Sequence, residues 1–363
     1  MLRRARHDGL FPPKATAVLG KFYVNGALSS LLVMPRFLYS LAIFWLLAPA
    51  VLAQQAPLNA TLDGYAYPFP VRLLPLKIEG QALRMAYMDV PPAAKANGRT
   101  VVLLHGKNFF GAYWRETIRT LTGAGFRVVV PDQIGFGKSD KADIHYSFHQ
   151  LARNTKLLLD TLGVVRAVVV GHSMGGMLAT RFALMFPEAV EKLVLENPIG
   201  LEDYRVGVPF QSVDQAEAGE RKSTEASIRK YHATYYPNGY PTAHDQWLLP
   251  LAAQTQSPDF AKVARANALT FDMIYQQPVS YEFGRVAVPT LLIIGQADRT
   301  VVGKALIKDP TTLAQMGQYP TLGRRTAAQI KGAKLVELEK IGHIPHLEAP
   351  AQFYKALLAF LGN

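Results

Sequence analysis

One stretch constrains the fold of this chain more than any other. The apolar run Ala167 to Val170 is followed by Gly171-His172-Ser173-Met174-Gly175 and then by a helix pattern from Met174 to Phe186. A G-x-S-x-G between a buried strand and a helix is the signature of a strained turn that lifts a serine hydroxyl above the end of a sheet. Small residues are needed around it because a side chain at either Gly would meet the neighbouring strand or helix.

The same strand-and-helix unit recurs along the chain. Two strands near residues 72 to 78 and 82 to 89, turning at Glu79-Gly80, open the pattern. The wholly apolar Thr100 to Leu104 then ends at His105-Gly106, and a helix follows from Ala112 to Thr122. Strand Phe126 to Val130, helix Phe148 to Leu162, the Ser173 unit and strand Lys192 to Leu195 come next. Strands resume at Thr290 to Ile294 and Lys334 to Leu338, and the last helix runs from Ala351 to Leu361. Short apolar strands alternating with helices predict an α/β protein with a mostly parallel sheet, its chemistry at the carboxyl ends of the strands.

Two residues beyond the serine stand at such ends. Asp298 closes Gly295-Gln-Ala-Asp298 after one strand, and His343 closes Ile341-Gly342-His343 after the last. A serine needs a base to take its proton, and an imidazole needs a carboxylate to fix its tautomer, so Ser173, Asp298 and His343 in that chain order form the expected catalytic set. His346 is the competing base and Glu196 a weaker competing acid; Asn197 stands where an acid could, but its amide cannot serve as one. Gly137-Lys138-Ser139 looks like the end of a phosphate loop, yet Asp132 occupies the place of its leading Gly. His145 and His149 share a helical spacing without a third ligand nearby, so no metal and no cofactor is expected.

Taken together, His105-Gly106, Asp132-x-x-Gly135-x-Gly137-x-Ser139, the Ser173 turn, Gly295-x-x-Asp298 and Gly342-His343 with Glu348-x-Pro350 resemble the α/β-hydrolase superfamily, specifically its capped serine hydrolases, over residues 75 to 362. The resemblance implies an esterase-like enzyme that forms an acyl-enzyme on Ser173, with an oxyanion hole built from the backbone amides of Lys107 and Met174. Carbon–carbon bond hydrolases, lactonases and amidases on the same triad stay open, as does a non-catalytic ligand-binding protein. A serine nucleophile argues against the epoxide hydrolases and haloalkane dehalogenases of the same fold, which attack with Asp. Lys107 departs from the usual pattern: its ammonium could attract an anionic substrate or simply pair with a surface acid. Asn108 is a second candidate donor.

Organisation follows from where the alternation stops. Residues 54–199 and 286–363 read as two parts of one core, and residues 200–285, helical and rich in Tyr and Trp, as a cap whose aromatics mostly form its own small core. A further insertion, Thr300 to Ala333, separates Asp298 from the last strand.

Residues 1–53 read as a signal region. Met34-Pro-Arg36, the apolar run Phe37 to Ala50 and Val51-Leu52-Ala53 supply the charged start, apolar segment and small-residue site of a secretory signal, with cleavage near Ala53. The apolar run is short of the ~20 residues that a membrane span needs, so no stable membrane insertion is expected once it is cleaved. Residues 1 to 33 could precede the true start at Met34. A periplasmic or secreted enzyme acting on a small acyl substrate is the resulting expectation.

The formal charge of +12 does not redirect this reading. Six basic residues and one acid lie in residues 1–53, and the remaining +7 is scattered without a Lys/Arg block, so nucleic acid is not an expected partner. The chain has no cysteine, which removes disulfides and thiol chemistry.

Overall fold

Pairing begins with a hairpin. In the computed structural model, which describes residues 57–362, strands β1 (Val71–Ile78) and β2 (Gln81–Val90) are antiparallel, with Leu74 opposite Met85. The turn between them places Glu79 and Gly80 at φ of 49° and 79°, the left-handed pair that matches the twist of the two strands. Leu74, Leu76 and Ile78 point inward while Pro75 and Lys77 face out, so this edge strand carries residues that discourage pairing with another chain.

The remaining strands are β3 (Thr100–Leu104), β4 (Arg127–Pro131), β5 (Ala167–His172), β6 (Val190–Glu196), β7 (Thr290–Gly295) and β8 (Lys334–Leu338). The sheet order is β1-β2-β4-β3-β5-β6-β7-β8, parallel from β4 onward and antiparallel where β2 meets β4. β3, β5 and β7 are buried along their whole length, as strands covered on both faces must be. The fold is that of an α/β hydrolase, with helices on both faces of the sheet.

Alternation along the strands divides the core in two. Val102, Leu104, Val129 and Val169 face helices α2 (Phe148–Thr161) and α3 (Met174–Met185). Val101, Leu103, Val128 and Val168 face α1 (Arg115–Gly123) and the C-terminal helix, which buries Phe353, Leu357 and Leu361. A 3-10 turn, Gly111–Trp114, precedes α1, so the helix expected from Ala112 begins three residues later.

Between β6 and β7 the chain forms α4 (Val213–Glu220), α5 (Glu225–Ala233), α6 (Asp245–Gln254) and α7 (Phe260–Gln276). Capping boxes at Ser212 and Thr224 start α4 and α5. Tyr235, Tyr236 and Trp247 do not make a separate small core here; they join the core cluster of the sheet face that includes Tyr113 and Trp114. Residues after β7 form α8 (Pro310–Gln315) and α9 (Tyr319–Gln329), and α9 packs on β7 and β8 as an ordinary crossover helix. After β8 come a short α10 (Pro345–Glu348) and α11 (Pro350–Leu361).

Strand order positions the site. The chain leaves β3 for β4 on one side, then returns to place β5 on the other, and the crevice at such a reversal lies at the carboxyl ends of β3 and β5. Those ends are His105 and Ser173. The signal expected from the sequence falls in residues 1–53, outside the described residues, among which no helix is long and apolar enough to cross a membrane.

Candidate active site

Ser173 occupies a backbone conformation that few residues adopt, with φ 56° and ψ −120°. Such a conformation costs on the order of 1–3 kcal/mol and persists only where its surroundings over-determine it. Here its amide donates to the Glu196 carbonyl at 3.1 Å, and its own carbonyl accepts from Gly176 at 2.8 Å and Ile199 at 3.1 Å. A Cβ at Gly171 would overlap the Gly175 carbonyl, and one at Gly175 would overlap the carbonyl of Leu104. The small residues at the turn therefore let α3, β5 and β3 meet within backbone contact.

The sheet brings the three sequence candidates together. His343 Nε2 lies 2.9 Å from Ser173 Oγ and its Nδ1 lies 2.7 Å from Asp298 Oδ2. A carboxylate only accepts, so Nδ1 carries the proton and the Nε2 lone pair faces the serine hydroxyl. Asp298 and His343 are 2% and 1% exposed, so this contact is shielded from water. Burial alone would raise the Asp298 carboxyl, but the charge and hydrogen bond of His343, with bonds from Thr300 and Asn197, outweigh it and hold the group below its ordinary value.

Asn197, which sequence reasoning set aside because its amide cannot serve as the acid, is bonded to Asp298. Its Nδ2 donates to Asp298 Oδ2 at 2.8 Å and its Oδ1 accepts from the Gly295 amide at 2.9 Å. The amide thus fixes the carboxylate against its own strand end. Its place at the end of β6, beside β7, was the available signal.

The loop after β3 is fixed just as closely. Gln133 donates its amide to His105 Nε2 at 3.0 Å, which leaves His105 Nδ1 to donate to the Gly106 carbonyl at 2.9 Å. Phe109 donates to the same carbonyl at 3.2 Å. In a trans peptide the N–H points opposite to the C=O, so the Lys107 amide is aimed away from these donors. A Cβ on Gly106 would come within 3.1 Å of the Ser173 Cβ, which places this loop beside the serine. Met174 is the first residue of α3, where an amide has no intrahelical acceptor. The Lys107 side chain turns to α4, with Nζ 3.9 Å from Glu220 Oε1. Asn108 Nδ2 donates to the Tyr235 hydroxyl at 2.8 Å.

His346 and Glu196 form a separate pair behind the serine. Glu196 Oε1 accepts from His346 Nδ1 at 2.9 Å and from the His346 amide at 2.7 Å, and the imidazole stacks on Trp114 at 4.2 Å. Burial holds His346 well below its ordinary value, hence neutral, and pushes Glu196 up to about 7. His346 is a packed residue and not a surface one. His145 and His149 are exposed. Asp132 takes up the Gly111 and Lys138 amides and the Tyr67 hydroxyl, so the Asp132-x-x-Gly135 motif braces a loop.

His172 and Tyr113 were not foreseen from the sequence. His172 Nε2 donates to the His343 carbonyl at 2.8 Å, Tyr113 donates to His172 Nδ1 at 3.0 Å, and the Gly106 amide donates to Tyr113 at 3.2 Å. Burial pushes His172 down to about 3, so it is neutral and this chain runs in one direction. It links the loop after β3 to the backbone of His343.

Comparison with known proteins agrees with this architecture. The family model for the α/β hydrolase fold matches residues 99–350. The chain belongs to this family. A 2-hydroxy-6-oxononadienedioate/2-hydroxy-6-oxononatrienedioate hydrolase of Paraburkholderia phymatum is 30% identical over 293 residues, 78% of this chain and 93% of that one. The crystal structure of a probable hydrolytic enzyme from Pseudomonas aeruginosa PAO1 is 46% identical, with a TM-score of 0.83 over 86% of this chain and all of that one. An enol-lactonase from Burkholderia xenovorans, 21% identical with a TM-score of 0.59 over 80% of this chain and all of its own, shares the fold. As an α/β hydrolase with hydrolase relatives, this protein is a hydrolase.

Proposed function

We propose that the protein is a serine hydrolase that cleaves carboxylic esters through an acyl-enzyme on Ser173. The observation that carries this reading is the continuous contact from Asp298 Oδ2 through His343 to Ser173 Oγ, at 2.7 and 2.9 Å, in a buried setting. His343 takes the serine proton as Oγ attacks the carbonyl carbon. The tetrahedral oxyanion is held by the amides of Lys107 and Met174, and His343 returns the proton to the leaving oxygen. Water activated by the same imidazole then releases the acid. Asp298 stabilises the imidazolium and fixes its tautomer.

A second reading is favoured by the Paraburkholderia relative, whose name places it among hydrolases of a dienedioate. Cleavage of a carbon–carbon bond on the same residues requires a leaving carbanion delocalised into the substrate. Lys107 Nζ, 3.9 Å from Glu220 Oε1, has an acid partner of its own on α4, which reduces the pull of its ammonium on a substrate carboxylate.

Intact-mass analysis with a fluorophosphonate tests the nucleophile. The mature protein is expected to gain one phosphonyl group, and Ser173→Ala is expected to gain none and to lose hydrolysis of p-nitrophenyl esters. Labelling that survives in Ser173→Ala would move the nucleophile elsewhere. Turnover of 2-hydroxy-6-oxononadienedioate in preference to every ester offered would replace the ester reading with the carbon–carbon one.

We also propose that the enzyme is exported, on the charged start, short apolar run and small-residue site of residues 34–53.

A further inference from the structure

Two hydrogen bonds hold the His343 imidazole in its own plane, one at Nδ1 and one at Nε2. Neither prevents the ring from rocking about the line that joins the two nitrogens. A ring face packed against the imidazole opposes that motion: His172 and Tyr319 meet it at an angle, at 4.9 and 6.3 Å, and a near-parallel face comes from the inserted helical segment. The Tyr235 ring lies over His343 with centroids 4.7 Å apart and planes 27° apart.

Three further contacts place Tyr235 there. The His343 amide donates to the Tyr235 carbonyl at 3.0 Å. Asn108 Nδ2, from the loop after β3, donates to the Tyr235 hydroxyl at 2.8 Å. Asn238 Nδ2 donates to the Lys340 carbonyl at 2.7 Å, joining the same two loops a second time. The approach is so close that a Cβ on Gly342 would overlap both the Tyr235 carbonyl and Pro237. Gly342, read from the sequence as part of a Gly-His motif, is therefore the residue that lets the insertion reach the histidine.

We propose that Tyr235 is a positioning residue for the reaction at Ser173, holding the plane of the His343 imidazole by stacking its ring on it. This rests on the reading of Ser173 and His343 given above. It makes docking of the inserted helices and alignment of the base a single event, because the residue that aligns the base belongs to the insertion. Tyr235 is 5% exposed, and no step requires it to touch substrate.

The test uses the full mature chain and three variants. Tyr235→Leu removes the ring, Tyr235→Met does so with an unbranched side chain, and Tyr235→Phe keeps the ring but loses the bond to Asn108. All three retain the backbone carbonyl. Small misplacements of a reacting group cost up to about 100-fold, so Tyr235→Leu and Tyr235→Met are expected to lower kcat by about 10- to 100-fold with KM changed less than about threefold. Tyr235→Phe is expected to stay within about threefold of wild type.

The proton NMR resonance between His343 Nδ1 and Asp298 supplies a readout that a merely structural role would not move. It is expected to persist in Tyr235→Phe and to broaden or vanish in the ringless variants, at unchanged circular dichroism. A folded ringless variant with wild-type kcat and an intact resonance overturns the proposal, and so does Tyr235→Phe falling as far as Tyr235→Leu. If Tyr235→Leu fails to fold, Tyr235→Met decides. Wild-type protein that no fluorophosphonate labels would instead overturn the reading of Ser173, a separate and distinguishable failure.

Discussion

At the scale of single residues, two histidines three positions apart have opposite fates. His343 faces Asp298 and the serine, whereas His346 is bound to Glu196 and packed on Trp114. The Glu196 pair has a consequence for stability. In the unfolded chain this carboxyl ionises near 4.5, and in the fold burial raises it to about 7. Below the lower value both states hold the proton and pH has no effect. Between the two values the unfolded chain gives up its proton while the folded one keeps it, so stability falls as pH rises and the full penalty stands above about 7. Glu196→Gln removes this titration and leaves His346 in place. Its stability in urea, relative to wild type, is expected to improve by about 3 kcal/mol between pH 4 and pH 8. A difference independent of pH would show that Glu196 ionises in the fold as it does in water.

At the scale of elements, the turn between β5 and α3 tolerates almost no added volume. The atom that a Cβ on Gly175 would strike is the Leu104 backbone oxygen in β3, which cannot move aside as a side chain can. Gly175→Ala is expected to destabilise the protein by about 3 kcal/mol or more, or to prevent its recovery in soluble form. Gly219 in α4 is the contrasting case, exposed, helical and with open space where a Cβ would stand. Gly219→Ala is expected to add about 0.5–1 kcal/mol. Urea melts of the two variants against wild type check both, and equal effects would contradict the packing argument.

At the scale of the whole molecule, residues 57–362 contain both core faces and all three candidate catalytic side chains. Expression of the full chain in a bacterial host, with N-terminal sequencing of material from outside the cytoplasm, is expected to begin at Gln54. An N-terminus at Met1 or Met34 in exported material would replace cleavage with a retained anchor.

The strand-and-helix alternation, the Glu79-Gly80 turn and the Ser173 turn were legible because each depends on neighbours within a few positions: buried strands are apolar runs, and tight turns need small residues. Asp298 and His343 were legible as candidates for a related reason, since the fold puts its chemistry at strand ends and they stand three and five residues past β7 and β8. The contacts of Asn197, His172 and Tyr113 were not legible, because each depends on which strand or loop lies beside it. Strand order makes Asn197 a neighbour of Asp298, and packing across the β3–β5 crevice makes His172 and Tyr113 a bridge to His343. Tyr235 is the extreme case, one tyrosine among several in a polar helical stretch. Local sequence determined the scaffold and the candidate reacting groups of this hydrolase. Only the tertiary structure decided what holds those groups still, because hydrogen bonds and ring contacts between distant segments carry no periodicity along the chain.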